Sequence, residues 1–215
     1  MLDLILPLEC GGCGAPSTRW CAGCAAELVI KPGQPHLISP RADPQVPVFA
    51  LGRYAGARRQ ATLAMKERGR GDLVHPLARA LASGVHRLLS WGIVETPLTI
   101  VPAPTRRSAA RRRGGDPVTR LARLAAATVG GDPEITVVRA LRIRALARDS
   151  VGLGTSARER NIAGRVLLRR RRLPTANEVL LVDDVVTTGA TARESVRVLQ
   201  AAGMRVAAVL AVAAA

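Results

Sequence analysis

The hydrophobic pattern alternates between strand-like and helical stretches along most of the chain. Short apolar or β-branched runs predict strands at 48–54, 98–101, 135–138, 165–168, 179–182 and 205–212. Leu, Ala and Val recur at helical spacing at 57–66 and 73–91. Asp116 can cap a helix that starts at Pro117 and runs to about 129, and Gly203 ends a helix predicted over 191–202. A capping box at 156–159 opens a further short helix. This alternation predicts an α/β fold, a mainly parallel sheet flanked by helices, in which the fully apolar run 179–182 is a central strand.

Composition divides the chain into three parts. Residues 1–30 contain all the cysteines, residues 31–47 contain five prolines, and residues 48–215 carry the alternating pattern. We expect a small N-terminal ribbon, then a Pro-rich linker or irregular wrap without regular elements, then one larger domain.

The four cysteines form two C-x-x-C pairs, Cys10 with Cys13 and Cys21 with Cys24. Two such pairs can offer four thiolates to one tetrahedral Zn²⁺, and in a reducing cytosol they favour a metal over disulfides. The seven residues between the pairs are fewer than in many zinc fingers, so a redox dithiol and two disulfides stay open as alternatives. With all four thiolates as ligands, the zinc would be structural and its binding would help the short segment to fold.

Charge narrows the classes of partner. The chain has 32 basic and 16 acidic residues, a formal charge of +16, and Lys31 and Lys66 are its only lysines. This charge predicts affinity for polyanions such as phosphorylated metabolites, nucleic acid or acidic partners, although a coding bias toward arginine explains it equally well. Two Trp, one Tyr and one Phe are too few for the stacking platforms of single-strand binders, so any contact with nucleic acid would be electrostatic.

Membrane and export signals are weak in this sequence. The longest apolar run, 206–215, has ten residues, whereas a membrane-spanning helix needs roughly 20. Residues 2–8 are apolar but lack the basic region and the small-residue cleavage site of a signal peptide. We therefore expect a cytoplasmic protein without a membrane partner.

The strongest motif is the run 179–191, VLLVDDVVTTGAT. A buried strand followed by Asp183 and Asp184 would place two carboxylates at the carboxyl edge of the sheet, where open α/β folds bind ligands. The loop after them offers hydroxyls and backbone amides at a helix N-terminus, which suits a phosphate. The residues of that loop are Thr187, Thr188, Gly189, Ala190 and Thr191. A ligand with a monophosphate at one end and vicinal hydroxyls nearby, such as a ribose 5-phosphate unit, would fit.

All thirteen positions of this run resemble the phosphoribosyl pyrophosphate (PRPP) signature of type I phosphoribosyltransferases. The resemblance implies that Asp183 and Asp184 are the catalytic pair and bind the ribose 2- and 3-hydroxyls. It implies that residues 187–191 bind the 5-phosphate, and that Mg²⁺ accompanies PRPP.

Further motifs extend the resemblance over essentially the full chain, to the ComF competence-protein family, in which a cysteine-rich ribbon precedes a phosphoribosyltransferase domain. They are the two cysteine pairs, Tyr54-Ala-Gly with Lys66, Val101-Pro-Ala-Pro104, Arg113-Gly-Gly, the run 156–161 with Gly164, and the signature. The implied fold is that of type I phosphoribosyltransferases with an N-terminal zinc ribbon held by the four cysteines. The family's RGFNQ-like run reads RGGDP here, at 113–117, which bears on the acceptor site more than on PRPP binding.

A second group of residues is predicted to bind pyrophosphate. The proline turn after strand 98–101 would use backbone amides, and nearby arginines would use their guanidinium groups. An ordinary turn, a solvated basic loop and a surface lysine are the competing interpretations. The candidates are Pro102, Ala103, Pro104, Arg106, Arg113 and Lys66.

The function implied by the resemblance is transfer of the phosphoribosyl group from PRPP to a nitrogen acceptor, with release of pyrophosphate. The alternative is a non-catalytic, PRPP-responsive accessory factor in competence and DNA uptake. That alternative brings single-stranded DNA and a helicase-like competence protein as partners.

Overall fold

The computed structural model describes residues 8–105, 115–129, 134–144, 164–169 and 178–215. The helices are α1 (Ala22–Leu28), α2 (Gly56–Glu67), α3 (Val74–Ser90), α4 (Pro117–Thr128) and α5 (Ala190–Gln200), and a 3-10 turn at Gly71–Leu73 precedes α3. The strands are β1 (His36–Ile38), β2 (Val48–Ala50), β3 (Leu98–Pro102), β4 (Ile135–Val137), β5 (Leu141–Ile143), β6 (Val166–Leu168), β7 (Glu178–Val186) and β8 (Arg205–Ala214).

Six of these strands form one twisted sheet in the order β1-β2-β8-β7-β3-β4. Every neighbouring pair is parallel except β1 with β2. β5 and β6 form a separate antiparallel pair. The predicted mainly parallel sheet is therefore confirmed, and β7 lies in its interior, as expected for a short strand that is buried on both faces.

Helices cover both faces of the sheet. α2, α3 and α4 pack on one face, against alternate residues such as Leu180 and Leu210. α5 packs on the other face with the β5–β6 pair, against Leu181 and Val209. Both layers are built almost entirely from Ala, Val, Leu and Ile, as a chain with few aromatic residues requires.

Local signals placed several helix ends correctly. Asp116 precedes α4, and its side chain accepts a hydrogen bond from the backbone N–H of Thr119, while Pro117 occupies the first turn. Gly203 follows α5 with a φ of 81°, in the left-handed region where glycine ends helices. The helix expected after the capping box at 156–159 lies outside the described residues.

Two predictions about strands were wrong. The segment 31–47 contains a regular element, because β1 pairs with β2 and gives its backbone hydrogen-bonding partners. The central strand does not end at 182, because β8 continues beside it and pairs Val185 with Ala213 and Val186 with Ala214. Asp183 and Asp184 therefore lie within β7 and not after it.

The cysteine-bearing segment packs on the main body. Trp20 and Leu28 join the hydrophobic layer around α3. The Glu27 carboxylate accepts a hydrogen bond from the backbone N–H of Ala57 at the start of α2, at 2.9 Å. Arg70 donates to two backbone carbonyl oxygens of the segment. Within the described ranges, no helix combines the length and apolar character needed to cross a bilayer.

Candidate functional site

The sheet has a topological switch point between β3 and β7. From β3 the chain continues to α4 and then β4 on one side, and from β7 it continues through α5 to β8 on the other side. α4 and α5 lie on opposite faces of the sheet. A crevice opens outside the carboxyl ends of two such strands, and open α/β sheets bind ligands there. Both predicted site segments, 102–104 and 183–191, begin in the last residues of these two strands and continue beyond them.

The acidic pair lies where β7 is longer than its neighbour. β3 ends at Pro102, opposite Val182, so Asp183 and Asp184 extend past it. Side chains alternate along a strand, so Asp184 shares the face of Val182 and α2, and Asp183 shares the opposite face. The two side chains thus leave β7 toward opposite faces of the sheet.

Lys66, in the last turn of α2, neutralises this pair. Its Nζ lies 2.7 Å from Asp184 Oδ1, and the Asp184 side chain is buried. Burial by itself lowers the pKa of Lys66, but the charges of Asp184 and Asp183 outweigh it and raise the pKa above its ordinary value. The structure therefore pairs Lys66 with the acids, and its predicted role toward pyrophosphate stays a prediction.

Of the two acids, Asp183 receives less stabilisation from Lys66, which pairs with Asp184. Desolvation, and next the negative charge of Asp184, raise the pKa of Asp183 well above its ordinary value, and Lys66 opposes this only in part. Asp183 Oδ1 accepts a hydrogen bond from the backbone N–H of Asp184 at 2.8 Å. Asp184 Oδ2 is buried and has no hydrogen-bond partner among the described residues. The unpaired Asp184 oxygen, next to the half-buried Asp183, can accept hydrogen bonds from the hydroxyl groups of a ligand.

The threonine-rich loop leads directly into α5. Gly189 is the N-cap residue, with a φ of 83° that other residues rarely adopt. Thr188 Oγ1 accepts from the backbone N–H of Ala190 at 3.4 Å, so one of the three predicted hydroxyls caps the helix. Thr187 is exposed and Thr191 is half-buried in the first turn. The N-terminus of an eleven-residue helix favours an anion at this point.

The segment before β2 packs on this loop. The backbone N–H of Ala42 donates to the Thr188 carbonyl at 2.8 Å. A Cβ atom on Gly189 would lie 2.6 Å from Pro40 Cβ and 2.7 Å from the Ala42 carbonyl oxygen. The loop is therefore braced from outside by a segment expected to be a linker. No local pattern in the sequence indicated this contact.

The proline turn after β3 is buried and short of donors. Ala103 is buried, and its backbone N–H donates to the Val182 carbonyl at 2.7 Å. Pro102 and Pro104 have no N–H. None of the three predicted residues therefore has a free backbone amide for pyrophosphate. Arg106 and Arg113, the predicted guanidinium donors, lie outside the described residues.

Polar side chains that sequence reasoning did not connect surround this turn. Thr105 Oγ1 donates to Asp116 Oδ1 at 2.9 Å, and Arg139 approaches Asp116 Oδ2 at 3.9 Å. Arg139 and Arg142 also line a cavity of about 30 Å³ against the turn, which is room for about one water molecule. Asp116 was identified only as a helix cap, and nothing local in the sequence joins it to Arg139.

The cysteines form the second candidate site. The four sulfur atoms lie within 4.8 Å of one another, and Cys13 Sγ lies 3.6 Å from Cys21 Sγ. A disulfide needs about 2.05 Å. Four thiolates around a tetrahedral Zn²⁺, each at about 2.3 Å, stand about 3.8 Å apart. The cluster can therefore bind a metal ion such as zinc, as the spacing predicted.

Backbone groups prepare the cysteine cluster for a cation. Backbone N–H groups of Gly12 and Cys21 donate to Cys10 Sγ at 3.5 and 3.4 Å. Burial raises the pKa of the Cys10 thiol, but these hydrogen bonds, with one from Cys13, outweigh burial and lower it to about 6. Burial, and then hydrogen bonds with the other thiols, raise the pKa of Cys24. The Cys10 thiolate therefore forms more easily than the Cys24 thiolate, and the positive charge of a bound metal ion would stabilise both.

No family model matches the chain, and no curated protein matches it. The candidate sites therefore stand on their geometry and on the motifs that they contain.

Proposed function

We propose that the chain binds PRPP in the crevice between β3 and β7, and transfers its phosphoribosyl group to a nitrogen acceptor. The observation that best supports this is the position of the run 179–191. It begins in the central strand, carries its two acids past the end of β3, and ends in the first turn of α5. A sugar phosphate needs hydroxyl acceptors and a phosphate site in this order, and switch-point crevices commonly bind such ligands. The resemblance to ComF proteins points in the same direction.

In the proposed reaction, the acceptor nitrogen forms a bond to C1 of PRPP while the bond from C1 to the pyrophosphate oxygen breaks. Pyrophosphate leaves with the electron pair, and the nitrogen then loses a proton. Asp183 and Asp184 would accept hydrogen bonds from the ribose hydroxyls and stabilise positive charge developing on the ring. The amides and hydroxyls of residues 187–191 would bind the 5-phosphate. Lys66 would limit repulsion between the acids and the incoming phosphates.

Metal ions have different roles at the two sites. Mg²⁺ prefers oxygen donors and is usually held by one or two carboxylates together with substrate phosphates. Asp184 Oδ2, buried and without a hydrogen-bond partner among the described residues, is such a donor. When bound, Mg²⁺ neutralises charge on the departing pyrophosphate. Zn²⁺ at the four cysteines would be structural, because all four ligand positions are filled by protein sulfur.

Titration calorimetry with PRPP and Mg²⁺ tests the proposal. Asp183→Asn combined with Asp184→Asn should weaken PRPP binding at least about tenfold, since two charged acceptors are lost. Glu95→Gln, an exposed carboxylate before β3 at the opposite edge of the sheet, should bind PRPP like the unchanged protein. Unchanged affinity in the double variant, with its fold verified by circular dichroism, would refute the assignment.

The net charge of +16 favours a second candidate function, a PRPP-responsive factor that also contacts DNA. Pyrophosphate release from PRPP and Mg²⁺, measured across a panel of nitrogenous bases, separates the two functions. Turnover with any base supports the transferase. PRPP binding without turnover for any base, together with salt-sensitive DNA binding, supports the accessory factor.

A further inference from the structure

A large groove lies away from the crevice, between the cysteine-bearing segment and the helical layer. Its volume is about 830 Å³. Its lining comes from α1, from α3 and from the end of α4, and includes the apolar side chains of Trp20, Leu28, Val29 and Ile30. Val29 is 61% exposed, so part of this apolar surface faces solvent.

The charges at the groove have one sign. The charged side chains that line the groove are Arg79 and Arg87 of α3, and none of the described lining residues is acidic. The Arg87 guanidinium also stands over the Trp91 ring at 5.9 Å, which holds that side chain in place. A basic rim on an apolar floor complements a ligand that is both acidic and apolar.

We propose that this groove binds an acidic amphipathic helix of a partner protein. A groove with helical walls accepts a helix through interlocking side chains, with apolar residues at i, i+3, i+4 and i+7 as anchors. A second copy of this chain is a poor occupant, because each copy carries +16 and would bring further positive charge to a basic rim. The site is separate from the proposed PRPP crevice, so it stands or fails independently.

Trp20 makes binding directly observable. It lines the groove and also packs beside the cysteines, since a Cβ atom on Gly12 would lie 3.0 Å from Trp20 Cζ3 and 2.5 Å from Cys24 Sγ. The chain has two tryptophans, so Trp91→Phe leaves Trp20 as the sole indole reporter and keeps a ring under Arg87.

The test titrates the full zinc-loaded chain, as Trp91→Phe, with a synthetic helical peptide of Leu at the anchor positions and Glu at most others. We expect a saturable change in Trp20 emission, and none with a peptide of the same composition in shuffled order. Arg79→Glu should weaken binding at least about tenfold, since it turns attraction at the rim into repulsion. Arg53→Glu, a matched reversal of an exposed arginine away from the groove, should change the affinity less than about twofold.

Four outcomes of the peptide titrations would overturn the proposal. The first three are no change in Trp20 emission, equal affinity for the shuffled peptide, and equal weakening of binding by Arg53→Glu and Arg79→Glu. The fourth is that deletion of residues 1–7 by itself changes the Trp20 emission, and that the peptide then causes no further change. The last outcome would assign the groove to the chain's own first residues. Concentration-dependent dimerisation that Arg79→Glu abolishes would assign it to a second copy, and would also overturn the proposal.

Discussion

Replacing Lys66 by methionine tests the electrostatics of the proposed crevice. Methionine keeps much of the aliphatic stem but removes the ammonium group that lies 2.7 Å from Asp184 Oδ1. At that distance, an effective dielectric constant of about 20 gives an attraction of about 6 kcal/mol, offset in part by the desolvation of both groups. Removal of one partner leaves Asp184 buried and unpaired beside Asp183, which typically costs about 3–5 kcal/mol.

Thermal unfolding followed by circular dichroism measures this loss. In a chain of 215 residues, each kcal/mol lowers Tm by about 2–4 °C, so Lys66→Met should unfold about 10 °C below the unchanged protein at pH 8. Lys31→Met is the matched control, because Lys31 is the only other lysine and is exposed. Its Tm should stay within about 2 °C of the unchanged protein. Adding Asp184→Asn to Lys66→Met should recover most of the loss, because the unpaired charge is then gone.

The pH dependence gives an independent check on the same reasoning. The pKa of Asp183 is already raised in the folded protein, and without Lys66 it rises further. A carboxyl whose pKa is higher in the folded than in the unfolded state lowers the free energy of unfolding while it is ionised. This destabilisation is complete above the folded-state pKa and decreases as the pH falls below it, because the folded state then binds the proton. The pKa of Lys66 is also raised, so the lysine stays charged throughout the neutral range. The Tm difference between Lys66→Met and the unchanged protein should therefore narrow from pH 8 to pH 5. A difference below about 2 °C at pH 8, or one that widens in acid, would refute the argument.

Two further perturbations test other parts of the structure. Gly189→Ala should cost about 2–4 kcal/mol, because it combines a φ of 83° with contacts of 2.6 and 2.7 Å on the bracing segment. Gly203→Ala, with a φ of 81° and open space around the added carbon, should cost about 1 kcal/mol, and equal losses by denaturant unfolding would contradict the packing argument. Protein purified without chelator should contain one zinc per chain by atomic emission, and chelation should reduce hydrogen-exchange protection in residues 8–30 while the sheet stays protected. Absence of zinc, or unchanged protection there, would reject the metal site.

Much of the architecture follows from local patterns. The start of α4 was predictable because the Asp116 side chain caps the N–H of Thr119 three residues along, and the end of α5 because Gly203 adopts a left-handed φ. A short run as apolar as 179–182, within an alternating pattern of strands and helices, is typical of the interior of a parallel sheet, so its central position was also predictable. The cysteine cluster was expected from spacing because each C-x-x-C pair brings its own two sulfurs together.

Contacts between distant parts of the chain depended on the tertiary structure. β7 extends through both acids because β8 continues beside it, and nothing within 179–186 reveals that partner. The pairing of Lys66 with Asp184 arises because α2 happens to lie over that face of the sheet. The switch point between β3 and β7 likewise depends on strand order, which periodicity does not encode. Sequence thus determined most of the helices and the strands of the parallel sheet, since capping and periodicity act over a few residues. Long-range pairing decided the short strands β1 and β5, and long-range packing decided which side chains meet.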